Sequence, residues 1–137
     1  MKNLSIFDIT SRAMSAQQTR LNAVASNLAN AGNVASSPEN AYRAIRPIFE
    51  AEYSALTEQN GVASVNTVGI QRSETLPEKR YAPTHPLANA DGYIFGTNVD
   101  SHEEMVDMME AARQYQNNIE VLATAKSLML KTLSVGK

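Results

Sequence analysis

Apolar residues at the start of the chain recur at the spacing of one helix face. One series falls seven residues apart, and a second series follows it three residues later: Phe7, Met14, Leu21 and Leu28, then Thr10, Gln17, Val24 and Ala31. No glycine or proline interrupts this segment before Gly32, which is a plausible helix end. The pattern predicts a helix from about Ser5 to Asn30, roughly 40 Å long.

A second and sharper helical pattern occupies the end of the chain, from about Ser101 to Ser134. Its first series is Met108, Tyr115, Leu122 and Met129, and its second is Met105, Ala112, Ile119 and Leu133, interrupted by Lys126. Such a repeat favours coiled-coil packing. Ser101 is the predicted N-cap, with Glu104 completing a capping box. Acidic residues near the start and lysines near the end suit the helix dipole.

The middle of the chain, residues 33–100, has a different character because it holds all five prolines. Ala41–Phe49 is predicted to be extended, with Pro47 restricting it to a sheet edge or bending it. Asn60-Gly61 is a turn signal before a predicted strand over Val62–Arg72, whose β-branched residues partly alternate with polar ones. Residues 73–92 are expected to be irregular, followed by a short strand at Tyr93–Phe95.

Together these patterns predict a mainly α fold with a small β-rich and irregular middle region. The two long terminal helices are expected to pack against each other as an antiparallel coiled coil, which is the simplest way to bury both apolar stripes. The predicted units are an N-terminal helix within residues 1–32, a middle region of residues 33–100 and a C-terminal helix within residues 101–137.

Both predicted helices have surfaces with unusually few charges. Arg20 is the only charged residue between Ala13 and Pro38, and Glu120 is the only one between Gln114 and Ala125. Neutral polar residues spaced by four occupy one side of the first helix instead: Gln18, Asn22, Ser26 and Asn30. Neutral amides can be buried at far lower cost than ions if they find hydrogen-bond partners. We interpret these faces as surfaces covered by other subunits; the alternative is a solvated face that happens to be rich in amides.

This interpretation nominates the residues that contact neighbouring subunits. The principal apolar candidates are Leu21, Val24, Leu28, Ile119, Leu122 and Met129, joined by Met14, Ala25, Met105, Met108, Tyr115 and Leu133. The amide candidates, which would fix the register between subunits, are Asn22, Asn27, Asn30, Gln116 and Asn117.

Composition excludes several classes of function. A net charge of −2 gives no reason to expect nucleic acid or an anionic membrane as a partner. Cysteine is absent, which excludes disulfides and thiolate metal sites. No apolar run is long enough to span a bilayer, and the start of the chain lacks the continuous apolar region of a secretory signal. If the protein leaves the cytoplasm, we expect its N-terminus to stay intact.

The sequence also nominates no catalytic or metal site. His85 and His102 could form a metal site with Asp91 or Asp100, but their loop and helix-start positions are typical of surface histidines. The acidic residues Glu103, Glu104, Asp107 and Glu110 are explained by a solvated helix start. No serine lies in a GxSxG motif, and no phosphate-binding loop is present. We therefore expect no enzyme activity, no cofactor, no metal and no small-molecule substrate.

Three segments of the chain resemble the bacterial flagellar rod and hook proteins. SAQQTRLNAVASNLANAG, at Ser15–Gly32, is similar to the N-terminal signature of that family, and the segment Asn98–Leu133 is similar to its second signature. HPLANADGYI, at His85–Ile94, together with the following NVD and a length of 137 residues, indicates a short member from the proximal rod. One departure is Gly96-Thr97, where the family usually has a proline; it affects only a loop.

The resemblance implies export without cleavage through the flagellar type III apparatus. It implies assembly into a helical, tubular drive shaft that crosses the periplasm and transmits motor torque, with the terminal helices forming an inner coiled-coil tube. The implied partners are other copies of the chain, other proximal and distal rod proteins and, in addition, the export gate or MS-ring region. Termini of the family are commonly disordered in the free monomer. The competing hypothesis is a soluble helical adaptor or export chaperone of a type III secretion system.

Overall fold

The structure is a computed structural model that describes residues 5–53 and 63–136. Its elements in chain order are α1 Ile6–Asn30, β1 Ile45–Tyr53, β2 Ala63–Arg72, β3 Lys79–Tyr81, β4 Tyr93–Phe95 and α2 Ser101–Val135. The strands form two small sheets, one of β1 with β2 and one of β3 with β4. The prediction of two long terminal helices around a small β-rich middle is confirmed.

Helix α1 begins at a capping box. The hydroxyl of Ser5 accepts a hydrogen bond from the Asp8 backbone N–H at 3.2 Å, and the Asp8 carboxylate accepts one from the Ser5 backbone N–H at 3.1 Å. These reciprocal bonds satisfy donors that the first turn leaves without helical partners. The helix ends at Asn30, and the Ala31 N–H donates to the Leu28 carbonyl at 3.2 Å. The predicted boundaries of α1 are therefore confirmed.

The N-cap of helix α2 lies one residue before the predicted one. Asp100 is the N-cap, and its carboxylate accepts hydrogen bonds from the backbone N–H groups of His102 at 2.8 Å and Glu103 at 3.3 Å. The prediction of Ser101 as the cap was wrong, because Ser101 is already helical and Glu104 is buried instead of closing a capping box. The bonds from His102 and then Glu103 favour the charged carboxylate and lower the pKa of Asp100 below its ordinary value.

Strands β1 and β2 form an antiparallel ribbon, called the long ribbon below. Pairing runs from Ile45 opposite Arg72 to Tyr53 opposite Ala63, and the register shifts after Ile48, where Val68 is the extra residue of a bulge. Pro47 lies within this two-stranded sheet, as its predicted edge position requires. The predicted Asn60-Gly61 turn and Val62 lie outside the described residues.

The second sheet contains a strand that the sequence did not predict. Lys79–Tyr81 pairs with Tyr93–Phe95 inside the segment expected to be irregular. Across the sheet the rings of Tyr81 and Tyr93 meet edge to face with centroids 5.2 Å apart, and the Lys79 ammonium lies 3.9 Å from the centre of the Tyr93 ring. Three residues are too few to show a periodic pattern in the sequence. The strand is stabilised by side-chain pairs across the sheet, which a sequence pattern does not show.

The connection between β3 and β4 depends on one glycine. Gly92 has a φ of 79°, a conformation that residues with a Cβ rarely adopt. A Cβ at this position would also lie 2.9 Å from the Tyr81 ring. The tyrosine pair and the turn are thus compatible only with glycine at position 92.

Helix α1 is the central element of the fold, since it packs against α2 and against both strands of the long ribbon. Asn27 bonds to the backbone of Ile45 at one end of the ribbon, and Arg12 pairs with Glu52 and Ser64 at the other end. Fifteen helical residues and seven strand residues both span roughly 22 Å. The ribbon therefore lies along α1.

The two helices meet near both ends of α1. Asn27, near the end of α1, donates to the Glu104 carboxylate near the start of α2 at 3.0 Å. Ile6, at the start of α1, shares a groove with Val121, Ala125 and Leu128 of α2. No helix in the described part of the chain is long and apolar enough to cross a membrane.

The buried core is built mostly from small side chains. The buried apolar residues are Ala16, Ala23, Val24, Ala41, Ala44, Ile94 and Ala111. Alanines let helices approach closely but remove little apolar area from water, and stabilisation scales with that area. The described chain therefore has a thin core for its length.

Candidate subunit interface

Helix α2 carries one heptad seam that faces α1. Its positions alternate four and three residues apart and are all buried or half-buried: Glu104, Met108, Ala111, Tyr115, Asn118, Leu122 and Ala125. At its two ends this seam meets α1, through Asn27 at Glu104 and through the Ile6 groove at Ala125. We call this set the inner seam. It contains three of the predicted contact residues, namely Met108, Tyr115 and Leu122.

A second heptad seam runs beside the first and is exposed along its whole length. We call it the outer seam, and it consists of Met105, Met109, Ala112, Gln116, Ile119, Ala123, Lys126, Leu130 and Leu133. Met105 is 53% exposed and Ile119 is 44% exposed, although both are large apolar side chains. A soluble monomer rarely shows a contiguous apolar surface of this kind unless a partner covers it.

The last turns of α2 expose apolar side chains on more than one side. All residues from 126 to 136 are exposed, and they include Leu128, Met129 and Val135 in addition to the outer seam. This segment continues for about 15 Å beyond Ala125, the last residue of the inner seam. An exposed helix normally pairs such apolar positions with a charged opposite face. Here the only charged residues in the segment are Lys126 and Lys131.

Helix α1 has an exposed stripe of a different kind. Its members also alternate four and three residues apart, and all are small or neutral: Ser11, Ser15, Gln18, Asn22, Ala25 and Ala29. We call this set the amide stripe, although only Gln18 and Asn22 carry amides. Their side chains lie 3.4 Å apart, from the Gln18 amide nitrogen to the Asn22 amide oxygen.

Half of the predicted amide face turns out to lie against the rest of the chain. The Ser26 hydroxyl is 3.1 Å from the Tyr42 hydroxyl, and the Asn30 amide donates to the Ser26 carbonyl at 2.7 Å. Asn27 is 1% exposed and bonds within the chain. Among the α1 amides nominated as contacts, Asn22 is therefore the exposed one.

The structure distributes the other nominated residues over three environments. In α1, Val24 is buried, Ala25 is exposed, and Met14, Leu21 and Leu28 are half-buried. In α2, the exposed candidates are Met105, Gln116, Asn117, Ile119, Met129 and Leu133. The outer seam thus brings together Met105, Gln116, Ile119 and Leu133.

Sequence reasoning missed part of the outer seam. Met109, Ala123 and Leu130 belong to it, and together with Gln116 they form a series seven residues apart. The signal was present, but two heptad patterns overlap on one helix, and Gln116 and Ala123 weaken the apolar series that was missed.

The acidic cluster at the start of α2 is more than the solvated helix start that the sequence suggested. Glu104 is 1% exposed, and its carboxylate accepts from the Arg46 guanidinium at 3.3 Å. Arg46 also donates to Asp107 at 3.0 Å. The prediction was wrong for Glu104, because a strand residue distant in the sequence supplies its counter-charge.

The candidate metal residues occupy ordinary surroundings. His85 accepts a hydrogen bond from the Leu87 backbone N–H at 3.1 Å within a loop, and His102 is exposed in the first turn of α2. Within residues 5–53 and 63–136, no three histidine, aspartate or glutamate side chains are grouped as metal ligands would be.

Both helices match models of flagellar families. Residues 7–34 match the flagella basal body rod protein family, and residues 90–135 match the C-terminal family of the flagellar basal body rod FlgEFG proteins. The flagellar basal-body rod protein FlgC of Salmonella typhimurium is 45% identical over 137 residues, and the match covers all of both chains. The chain belongs to the FlgC family of flagellar basal-body rod proteins.

Other FlgC proteins match over their full length as well. The FlgC protein of an Escherichia coli O6:H1 strain is 44% identical over 137 residues, and that of Buchnera aphidicola from Schizaphis graminum is 38% identical over 139 residues, with both chains fully covered in each case. The resemblance to flagellar rod proteins is thereby confirmed. The FlgC-family chain is a structural protein of the basal-body rod and not an enzyme. The alternative of an adaptor or chaperone is not favoured.

Proposed function

We propose that the chain polymerises within the proximal rod, a tubular drive shaft that crosses the periplasm and transmits motor torque to the hook and filament. The observation that carries this proposal is the outer seam of α2, an exposed heptad repeat in which five of nine positions are large apolar residues. Full-length relatives named as basal-body rod proteins supply the context.

In this proposal α1 and α2 form an antiparallel coiled coil. The contacts of Asn27 with Glu104 and of Ile6 with the groove at Val121 support opposite directions for the two helices. The alternating four-three spacing of the inner seam supports knobs-into-holes packing. Residues 1–32 and 101–137 then build the tube, and residues 33–100 lie against it.

The outer seam is covered by helices of neighbouring subunits, either other copies of this chain or other rod proteins. Complete burial of one fully exposed Leu, Ile or Met side chain contributes about 1.5–3 kcal/mol. The five large apolar residues of the seam are 44–68% exposed, so each still has roughly half of that free energy to gain on association. The thin alanine core of the single chain adds to the need for neighbours. In a helical lattice each subunit uses different surfaces on its two sides, as the unlike α1 and α2 stripes would allow.

The amide stripe serves a different purpose in the same lattice. Burial of a neutral amide costs less free energy than burial of an ion, provided that the amide gains hydrogen-bond partners. Asn22 on α1 and the exposed Gln116 and Asn117 on α2 are therefore the side chains best suited to fix register between subunits. Leu21, Leu28 and Met129 extend the apolar contact.

The location follows from the same family membership. We propose that the chain is exported through the flagellar type III apparatus without cleavage and that its neighbours in the rod include the export gate or MS-ring region. No cofactor, nucleic acid or small molecule takes part in this function.

The test compares two acidic substitutions on α2 in cells that lack the native protein. Ile119→Glu places a charge in the outer seam, whereas Val106→Glu places one at a 64% exposed apolar position off that seam. Both replace a β-branched residue, so their effects on helix propensity are alike. Ile119→Glu should abolish swimming and leave the protein exported but missing from isolated basal bodies. Val106→Glu should retain swimming and should remain present in isolated basal bodies. Normal basal bodies with Ile119→Glu would contradict the proposal.

A further inference from the structure

We propose that Asn27 is a positioning residue that holds the long ribbon in one orientation on both helices. Asn27 belongs to α1, yet its side chain bonds to the backbone of β1 and to a carboxylate of α2. We call the group formed by Asn27, Tyr42, Ile45, Arg46 and Glu104 the clamp. Its geometry can be tested independently of any role in the rod.

The Asn27 amide is fully satisfied by four hydrogen bonds. Its nitrogen donates to the Ile45 carbonyl at 3.0 Å and to the Glu104 carboxylate at 3.0 Å. Its oxygen accepts from the Ile45 backbone N–H at 2.9 Å and from the Tyr42 hydroxyl at 3.0 Å. A primary amide offers two donors and two acceptor sites, so all of them are used. The two bonds to Ile45 also fix which end of the amide is nitrogen.

The bonds to Ile45 imitate those of a neighbouring strand. In an antiparallel sheet, a residue exchanges both N–H and carbonyl bonds with the residue opposite. The adjacent Ala44 carbonyl accepts from the Ser73 N–H at 2.8 Å on the β2 side, so Ile45 presents its own groups to the other edge. Asn27 bonds to the N–H and the carbonyl of Ile45, the first residue of β1, at this edge. The side chain of a helix residue thus forms the hydrogen bonds that a third strand would form there.

The second half of the clamp ties the same point to α2. Glu104 is 1% exposed, so its carboxylate needs partners that replace water. Asn27 provides one, and Arg46 provides the other at 3.3 Å. Arg46 follows Ile45 on β1 and also bonds to Asp107 at 3.0 Å. Two consecutive strand residues therefore connect β1 to both helices.

The clamp differs from the other connection between the ribbon and α1. At the far end of the ribbon, Arg12 pairs with Glu52, and both side chains are about half exposed. An exposed ion pair contributes little, typically less than about 1 kcal/mol. In the clamp, Asn27 and Glu104 are each 1% exposed, although Arg46 is 49% exposed. The Asn27–Glu104 bond therefore contributes more to the orientation of the ribbon than the Arg12–Glu52 pair. If the chain acts as a rod subunit, as proposed above, load on the ribbon passes to the helices here.

Substitution at Asn27 can separate this geometry from simple packing. Asn27→Asp has the same shape, but it removes both donors and places a carboxylate beside Glu104. Adding Glu104→Gln exchanges amide and carboxylate between α1 and α2, which restores a donor and relieves the repulsion. The bond to the Ile45 carbonyl stays lost, so the rescue is expected to be partial.

The experiment uses a cross-link at the far end of the ribbon as its readout. The chain has no cysteine, so Arg12→Cys with Glu52→Cys introduces a unique pair for a short bismaleimide. The reporter also removes the Arg12–Glu52 ion pair, which leaves the ribbon more dependent on the clamp. Cross-linking of the full-length chain is then measured in cells that carry it as the only copy.

Asn27→Asp should lower the ratio of correctly placed to displaced ribbon about tenfold, as expected for a buried pair left unsatisfied, and should thereby lower the initial rate and the yield of cross-linking. Adding Glu104→Gln should recover at least half of the loss on a logarithmic scale. Asn22→Asp, at an exposed amide of the same helix, should leave the yield unchanged. An unchanged yield with Asn27→Asp, or no recovery with Glu104→Gln, would overturn the clamp. Neither result would affect the Ile119→Glu experiment or the rod proposal that it tests.

Discussion

The inner and outer seams of α2 follow the same spacing but differ in exposure. The inner seam mixes three large side chains with the polar Glu104 and Asn118 and the small Ala111 and Ala125. The outer seam also includes Ala112, Gln116, Ala123 and Lys126, but it carries five large apolar side chains and keeps all of them exposed. The contact within the chain is therefore anchored by specific polar bonds, whereas the surface left outside is suited to association through burial.

Helix α2 can therefore stabilise the fold through one seam and remain available for assembly through the other. The bonds of Asn27 to Ile45 and Glu104 select one arrangement of the ribbon and the helices, since unsatisfied buried polar groups penalise any other. An apolar seam has no such directional demand, and it gains free energy wherever a complementary surface covers it. The polar bonds that select one fold lie inside the chain, whereas the apolar side chains that favour association lie on its surface.

The largest expected difference in stability comes from substituting two adjacent alanines, one in each seam. Ala111 is fully buried in the inner seam, and Ala112 is exposed in the outer seam. Ala111→Leu should destabilise the helix pair by about 1–3 kcal/mol, because the extra methylenes have no room. Ala112→Leu should leave the stability of the single chain unchanged. Thermal unfolding of the purified chain by circular dichroism measures this, with sucrose added to strengthen apolar burial.

A similar loss for both variants would contradict the assignment of the two seams. The pair is well matched, because each substitution is the same and both residues lie in the same turn of α2. Any difference therefore reports the surroundings and not helix propensity.

A smaller effect concerns the start of α2 and its dependence on pH. Two backbone hydrogen bonds lower the pKa of Asp100 below its ordinary 3.8. A lowered pKa contributes stability that is present above the ordinary value and is lost as pH falls through the lowered one. Asp100→Asn keeps a capping oxygen without the charge, so its unfolding midpoint should depend less on pH below about 4. Identical acid titrations of the variant and the parent would contradict this role.

Local patterns predicted most of the secondary structure. Periodic apolar residues and the absence of glycine and proline identified α1 and α2. Strand β3 was missed because three residues carry no period, and its pairing depends on Tyr93 and Phe95, which are distant in the sequence. The cap at Asp100 was missed because Ser101 offers an equally good local signal.

The candidate interface was predicted only in part. The exposed positions Met105, Ile119 and Leu133 follow from periodicity, but nothing local separates them from the half-buried Tyr115 and Leu122. Asn27 looked like a surface amide because its partners lie 18 and 77 residues away. Such roles arise from tertiary contacts, and a one-dimensional pattern does not contain them.

We expect neighbouring subunits to cover the outer seam, and the labelling of a single cysteine measures that coverage. Ile119→Cys places a thiol in this cysteine-free chain, at a position that is 44% exposed in the single subunit. Maleimide labelling is compared between the purified chain and isolated basal bodies, with Thr84→Cys in an exposed loop as the control. Rapid labelling of the free chain and protection in the rod are expected, with the control labelled in both. Equal labelling of the Ile119→Cys variant in both states would contradict this expectation.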